Sequence, residues 1–293
     1  MERPPYMNQS PNFNENNNFH TCRGLPSYVE NFRGLTLGVD LLASLYGGFT
    51  AYSEMEKIKG NGLEAEKASE MARRYRDIME TQWWDDENNR YHTFWTTEKK
   101  FYRGEGVPLI LWFDATDNIA RKQASVADIL AGEWNVENLS HFPLLFFQMG
   151  YNEEAYDILT TLPSANRSEY PEVSFGLVEG IVSGAMGLRV SASRNEISTL
   201  SRIEGHDSSV RNVPVFGGYV TLRHNGTSCS EIENKTDRDL TWIASFQGKN
   251  DIFECGGQKV AATTTTDVKG NPISTVRIKL PKGSKKRIDA ICR

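Results

Sequence analysis

The stretch Arg167–Leu188, RSEYPEVSFGLVEGIVSGAMGL, decides the architecture. It opens on charged and aromatic residues, Arg167, Glu169, Tyr170 and Glu172. It then becomes an apolar run punctuated by Gly176, Gly180, Gly184 and Gly187. A run of that length reads as a helix rather than a strand. Glycine weakens a helix interior by up to ~1 kcal/mol per residue. Several on one helix therefore point to close approach by neighbouring helices, and to a helix buried on most sides. Pro171 suits the first turn, and Glu172 falls in the positive end of the helix field. The expected picture is an inner helix with two carboxylates and a tyrosine at its mouth. An ordinary core helix with an acidic cap is the plain alternative.

Upstream, two kinds of helical segment alternate. Leu35 to Lys57 is largely apolar, and Leu63 to Gln82 is amphipathic and strongly charged on one face. The same pair recurs as Val107 to Ala115 followed by Asn118 to Ala131. It recurs again as Asn138 to Met149, despite Pro143, followed by Glu153 to Leu162. Two concentric layers of helices require this pattern, the inner layer buried all round and the outer wetted on one face. That arrangement is an α/α toroid; an irregular helical bundle is the competing architecture. Residues 1–24 are rich in Asn and Pro and read as an irregular arm. Residues 25–190 form the toroid.

From residue 191 to 293 the character changes. Short β-prone runs appear at Gly218 to Leu222, Leu240 to Phe246, Gln258 to Thr264 and Thr275 to Leu280. Turn signals such as His224-Asn225-Gly226 and Lys269-Gly270-Asn271 separate them. The expectation is a small antiparallel β-sandwich behind a mainly α, partial α/α toroid.

Composition excludes several functions. Hydrophobic residues make up 39% and charged residues 24%, so a packed core is within reach. A net charge of -5 without a basic cluster argues against nucleic acid as the partner. No charge-free apolar run is long enough to span a membrane. The amino-terminal MERPPYMNQSPNFNENNNF lacks the apolar core of a signal peptide, so location is left open. Periplasm or secretion is the expectation if the chain is part of a longer precursor. Cys22, Cys229, Cys255 and Cys292 show no metal spacing, and the five histidines, His20, His92, His141, His206 and His224, are scattered. No metal and no cofactor are expected. Cys229 and Cys255 are able either to pair or to remain free. Asn-X-Ser/Thr occurs at Asn8, Asn138, Asn166, Asn225 and Asn234, a weak sign of glycosylation in an Asn-rich chain.

The connections carry the chemistry. Turns from apolar to amphipathic helix are short. Those leading back, Trp83 to Gly106, Gly132 to Glu137 and Pro163 to Glu172, are mostly longer and richer. In an alternating barrel the latter share one end, at the amino termini of the inner helices, where loops bear function. They gather the rings of Tyr28, Trp83, Trp84, Tyr91, Trp95, Trp134 and Tyr170. The acids there are Glu30, Asp85, Asp86, Glu105, Glu133, Glu137, Glu169 and Glu172, with Arg33, Arg103, Arg167 and His141 nearby. Rings stack on sugar faces and acids bond sugar hydroxyls. Two carboxyls at the right separation hydrolyse a glycosidic bond. Asp40, on an apolar helix, either is satisfied in the core or lines the barrel. Trp83, Trp84, Trp134 and His141 also fit ordinary packing, and Glu169 and Glu172 also fit caps or partners of Arg167.

Together the alternating helices, WWDDENNRYHTFW, ENLSHFPLLFFQMGYNEEAYDIL and YPEVSFGLVEGIVSGAMGL resemble the C-terminal half of a six-hairpin, glucoamylase-like (α/α)6-barrel glycosidase. The resemblance covers residues 25–190. It implies a carboxylate just before the last inner helix acting as general base on water, the place of Glu172 and Glu169. It also implies that the general acid comes from a hairpin near the middle of the barrel, and that a following β-sandwich is structural. A complete barrel needs roughly twice the helices counted here, so a missing N-terminal half or a partner chain is implied. Glu137 stands as the substitute acid. The expected substrate is an oligo- or polysaccharide, with Trp83, Trp84, Trp134, Tyr170, His141, Arg103, Arg167 and Asp40 as binding residues. A non-catalytic carbohydrate-binding or structural module, or a truncated enzyme, is the second reading. A polysaccharide lyase or sugar epimerase on the same barrel is the third.

Overall fold

The computed structural model describes residues 27–29 and 34–291. The arm at 1–24, His20, Cys22, Glu30, Arg33, Cys292 and the Asn8 sequon lie outside the described residues. Contacts divide the chain into two compact units, Met1–Gly132 and Glu133–Arg293.

The first unit begins with β1 (Leu35–Gly38), which runs directly into α1 (Val39–Lys59); α2 (Gly62–Gln82) follows. The aromatic loop then forms four short strands, β2 (Trp84–Asp85), β3 (Arg90–Tyr91), β4 (Phe94–Thr96) and β5 (Phe101–Tyr102). Helices α3 (Val107–Trp112) and α4 (Ile119–Leu130) complete the unit. α1 packs against both α2 and α3, and α3 against α4, so two hairpins sit side by side with their apolar helices touching. On α2, Ala65, Ala68, Ala72, Tyr75 and Met79 are buried, a stripe at helical spacing. The α4 start is set by Asn118, whose side chain accepts from Arg121 N at 3.1 Å. The strands differ from the expected loop. β1 pairs antiparallel with β4, and β4 with β5, so the first residues expected as helix are a strand.

The second unit opens with a third hairpin, α5 (Val136–Met149) and α6 (Asn152–Thr161), and then α7 (Pro171–Glu179), which continues as a π-helical segment over Gly180–Ala185. Asn135 caps α5 by accepting from Asn138 N at 2.9 Å. α5 packs on both α6 and α7. The glycines of α7 form the contact row. An added Cβ at Gly176 would lie 2.1 Å from Ser140 O, at Gly180 2.9 Å from Pro143 Cβ, and at Gly184 2.7 Å from Phe147 Cδ2. The expectation of close helix approach holds on this face. Burial on most sides does not: Phe175 is 72% exposed and Val178 62%, on the flank α5 does not cover.

Strands then follow in order: β6 (Arg189–Ser191), β7 (Glu196–Ser201), β8 (Asp207–Val215), β9 (Gly218–Asn225), β10 (Cys229–Lys235), β11 (Leu240–Gln247), β12 (Ile252–Cys255), β13 (Gln258–Ala261), β14 (Thr263–Thr266), β15 (Pro272–Leu280) and β16 (Lys285–Ala290). They make a six-stranded sheet in the order β13-β12-β16-β10-β9-β8 and a five-stranded sheet in the order β14-β15-β11-β7-β6. Ile197, Leu222, Trp242, Phe246, Phe253 and Ile288, from both sheets, share one buried core. The pairing is antiparallel except between β7 and β11, which run parallel. Helices and strands thus share the chain, and mainly α describes it less well than a helical part joined to two sheets.

Burial also settles side issues. Asn234 is wholly enclosed, its Nδ2 donating to Arg238 O, Leu280 O and Pro281 O, and Asn138 is buried too. Neither sequon offers an accessible amide in the folded chain. Cys229 and Cys255 are free thiols, and burial pushes the Cys229 thiol up to about 11.

The glycine row generates a paired test. Gly176→Ala forces a methyl onto the Ser140 carbonyl and is expected to destabilise the second unit by about 1–3 kcal/mol, the usual cost of overpacking. Gly48→Ala, on α1 with nothing within 4 Å of the new Cβ, is expected to stabilise by up to ~1 kcal/mol. Urea unfolding midpoints of the two variants, moving in opposite directions, are the readout.

Candidate functional site

Each unit carries a cluster at the amino ends of its inner helices. In the first unit the β1–α1 junction is tied by Val39 N donating to Thr93 O at 2.9 Å. This places Asp40 in the first turn of α1. Asp40 is 3% exposed and accepts from Ser27 Oγ at 3.0 Å and from Tyr28 N at 2.8 Å. Burial outweighs these bonds and raises its pKa to about 6. Glu105, just before α3, accepts from the Tyr28 hydroxyl at 3.4 Å. Asp40 and Glu105 therefore meet at the same short segment, Ser27-Tyr28.

The neighbouring aromatic residues are mostly engaged. Trp83 is 0% exposed, edge-on to Phe101 at 5.1 Å, and offers no face to a sugar. Trp84 is half-buried, set edge-on to Tyr91 at 4.8 Å, with the Arg121 guanidinium over its ring at 4.6 Å. Trp95 packs edge-on to Phe101. Arg103 is ion-paired with Asp128. Asp85 closes its own turn, accepting from Glu87 N, Asn88 N and Asn88 Nδ2, while Asp86 is exposed.

In the second unit the amino ends of α5 and α7 gather the other sequence-derived candidates. Glu137 pairs with Arg167 at 3.5 Å, and the Arg167 guanidinium lies 4.0 Å from the Tyr170 ring centroid. Trp134 is edge-on to Phe142 at 5.4 Å. His141, one turn into α5, is half-buried; burial lowers its pKa and the charge of Glu172 opposes that shift. Glu172 occupies the first turn of α7, at the positive end of the helix. Glu172 and Glu169 are both exposed and make no ion pair among the described residues. The cluster thus offers an exposed carboxylate beside an imidazole, flanked by a tyrosine and an arginine–carboxylate pair. Such a set can take a proton from water and hold sugar hydroxyls.

No known family model matches the chain, and no curated protein matches it. An α-L-rhamnosidase does. Its structure, from Dictyoglumus thermophilum, superposes with a TM-score of 0.55 over 83% of this chain, at 12% identity. A protein named as a kojibiose phosphorylase, from the human microbiome, is matched over 75% of this chain at 11% identity with a TM-score of 0.43. The chain spans 31% of the rhamnosidase and 32% of the phosphorylase. At such identities the likeness to the rhamnosidase is one of fold alone.

Two acids take on more weight than the sequence assigned them. Asp40 was expected as a binding residue, yet its enclosure gives it the character of an acid that titrates near neutrality. The signal was a lone Asp in the first turn of an apolar helix. Glu179, two turns along α7 from Glu172, was not singled out; burial raises its pKa and Arg189 opposes the rise. Among the described residues, no group of three or more His, Cys, Asp or Glu is arranged to hold a metal ion, and no helix is long and apolar enough to cross a membrane.

Asp40 has a measurable signature. Its folded pKa of about 6 lies above its ordinary 3.8, so the folded state binds the proton more tightly. The resulting stability is fully present below about pH 4 and is lost as pH rises through 6, by up to ~3 kcal/mol. Urea unfolding across this window is expected to show the decline in the wild type, and Asp40→Asn is expected to flatten it.

Proposed function

We propose that the chain is a carbohydrate-active module of glycoside hydrolase type, with Glu172 as the general base. The observation that carries this is the exposed, ion-pair-free Glu172 carboxylate in the first turn of α7, beside His141, in a fold resembling that of a rhamnosidase. In the proposed step Glu172 takes a proton from water as the oxygen attacks the anomeric carbon, while an acid protonates the leaving glycosidic oxygen. Glu169, exposed and three residues earlier, is the alternative base. Glu137 is the weaker acid candidate, since its carboxylate is already engaged by Arg167 at 3.5 Å. Tyr170, Trp134, His141 and Arg167 are the proposed sugar contacts in this unit. Trp84, Arg103 and Asp40 remain proposed contacts of the first unit.

A second reading rests on a different observation. Phe175 and Val178 of α7, Ile181 of the π-helical segment, and Met55 and Ile58 of α1 are exposed apolar side chains on helices that an α/α toroid would bury. They support a module that binds saccharide without cleaving it, or whose active site is completed by further helices from a longer protein or a partner chain.

A hydrolysis screen separates the two. Aryl glycosides, including an aryl α-L-rhamnoside, and oligosaccharides are expected to release aglycone or reducing sugar. Glu172→Gln is expected to lower kcat by about 10²–10⁴, the usual worth of a general base. Wild-type rates in both Glu172→Gln and Glu169→Gln would remove the base assignment. Saccharide binding without turnover, by a chain that circular dichroism shows folded, would leave the binding module.

A further inference from the structure

At the end of α5 remote from Glu137 the chain turns through Gly150 into α6. A cavity of about 670 Å³ opens there, between the first turns of α6 and the loops that join the strands. It lies entirely within the second unit. The length of α5, 14 residues, separates it from the Glu172 cluster by about 20 Å.

Arg202 lines this cavity and is 9% exposed. Its guanidinium donates to Gly184 O and lies 5.8 Å from the Phe147 ring centroid. These are its hydrogen-bond and ring contacts among the described residues, and neither neutralises its charge. A guanidinium has five donors in a rigid fork, so most remain for another partner. The acid whose field it feels, Asp267, is already bonded by Asn271 N at 2.8 Å and Asn271 Nδ2 at 3.0 Å. Burial, reinforced by the charge of Arg189, pushes the Arg202 pKa down to about 9, so it is still cationic at neutral pH. Asp267 therefore supplies a counter-charge at a distance but makes no ion pair with Arg202 among the described residues; a buried guanidinium with no carboxylate on its fork is costly, and buried charges are normally paired directly.

The rim is mixed and mostly acidic: Tyr156, Asp157 and Glu204 are exposed, and so is Lys269, whose charge is paired with Glu154 at 3.4 Å. These groups supply an aromatic face and hydroxyl acceptors. Inorganic phosphate would meet the rim's negative charge without a ring to stack on Tyr156. A neutral sugar would satisfy the rim and leave the Arg202 fork without a carboxylate. A ligand with both a carboxylate and a hydroxylated ring answers both, and the volume is in the range of small-ligand sites.

We propose that this cavity is a second binding site, for a carboxylate-bearing sugar of the uronic acid class, with the carboxylate on Arg202 and the hydroxyls toward Tyr156, Asp157 and Glu204. The site is independent of the hydrolytic reading, because none of its residues belongs to the Glu172 cluster.

Titration calorimetry of the full chain with glucuronate, glucose and inorganic phosphate tests it. Glucuronate is expected to bind saturably, with glucose and phosphate each weaker by roughly tenfold or more. Arg202→Lys loses the planar fork while keeping the charge, and is expected to weaken glucuronate by about tenfold. Because Arg202 also bonds the end of the π-helical segment, the exposed variants Tyr156→Ala and Glu204→Gln accompany it. Each is expected to weaken binding severalfold with an unchanged circular dichroism spectrum and Tm. Glu172→Gln is expected to bind like the wild type; loss of binding there would put glucuronate at the other cluster and overturn the proposal. Absence of glucuronate binding, equal binding of glucose or phosphate, or wild-type affinity in the Tyr156 and Glu204 variants would overturn it as well.

Discussion

The second unit depends on how the carbonyl end of its last helix is satisfied. A helix leaves its final carbonyls without internal partners, and burying them unpaired is costly. Here the sheets provide the donors. Arg202 donates to Gly184 O, His224 Nε2 lies 3.1 Å from Met186 O, and Leu200 N bonds the same carbonyl at 3.3 Å. His224 is kept neutral by its burial, which lowers its pKa to about 4, and its Nδ1 pairs with Ser230 Oγ at 2.6 Å. Gly187, at φ +59, lets the chain leave the helix against β7, where an added Cβ would lie 2.5 Å from Leu200 N. A second tie joins α5 to the sheets: Lys269 N donates to Met149 O at 3.2 Å and Asn271 Nδ2 to Gly150 O at 3.3 Å. Polar contacts therefore hold α5–α7 and the strands in one compact unit, although the sequence changes character at Leu188.

Much of this architecture was legible. The apolar–amphipathic alternation located the three hairpins, because a helix with one wet face and a helix without one differ plainly in sequence. The row Gly176, Gly180 and Gly184 announced a close neighbour, and Ser140, Pro143 and Phe147 are what it meets. The opposite flank misled, since Phe175, Val178 and Ile181 read as core yet stand exposed. Residues 35–38 carry no local strand signal; their strand character is created by pairing with Phe94–Thr96, far along the chain. β8 escaped for a related reason. Its sequence, DSSVRNVPV, is polar, and only its ladder with β9 makes it a strand.

The candidate site was legible as a grouping of residues more than in its contacts. Residue type and position marked Glu172, Tyr170, His141 and Glu137, and the structure gathers residues of this set at the starts of α5 and α7. Trp83 looked like a sugar platform, but aromatic residues serve packing as readily as recognition, and here Phe101 claims it. Arg202 carried no sequence signal at all. Its interest comes from what surrounds it, and a single arginine after a strand looks like any surface cation.

The parallel pairing of β7 with β11 has a consequence for the order in which the chain matures. β7 lies between β6 and β11 in its sheet, and its register with β11 runs from Glu196–Thr241 to Ser201–Phe246. The residues between them form β8, β9 and β10, which belong to the other sheet. During synthesis, then, Leu200 and the helix end it bonds wait beside an open strand edge while β8, β9 and β10, half of the other sheet, are made. The buried Trp242 indole that donates to Thr199 at 2.9 Å arrives with the closing strand. Closure over such a sequence separation is slow compared with hairpin formation. The α5–α6 hairpin ahead of it is built from contacts close in sequence, the kind that form faster.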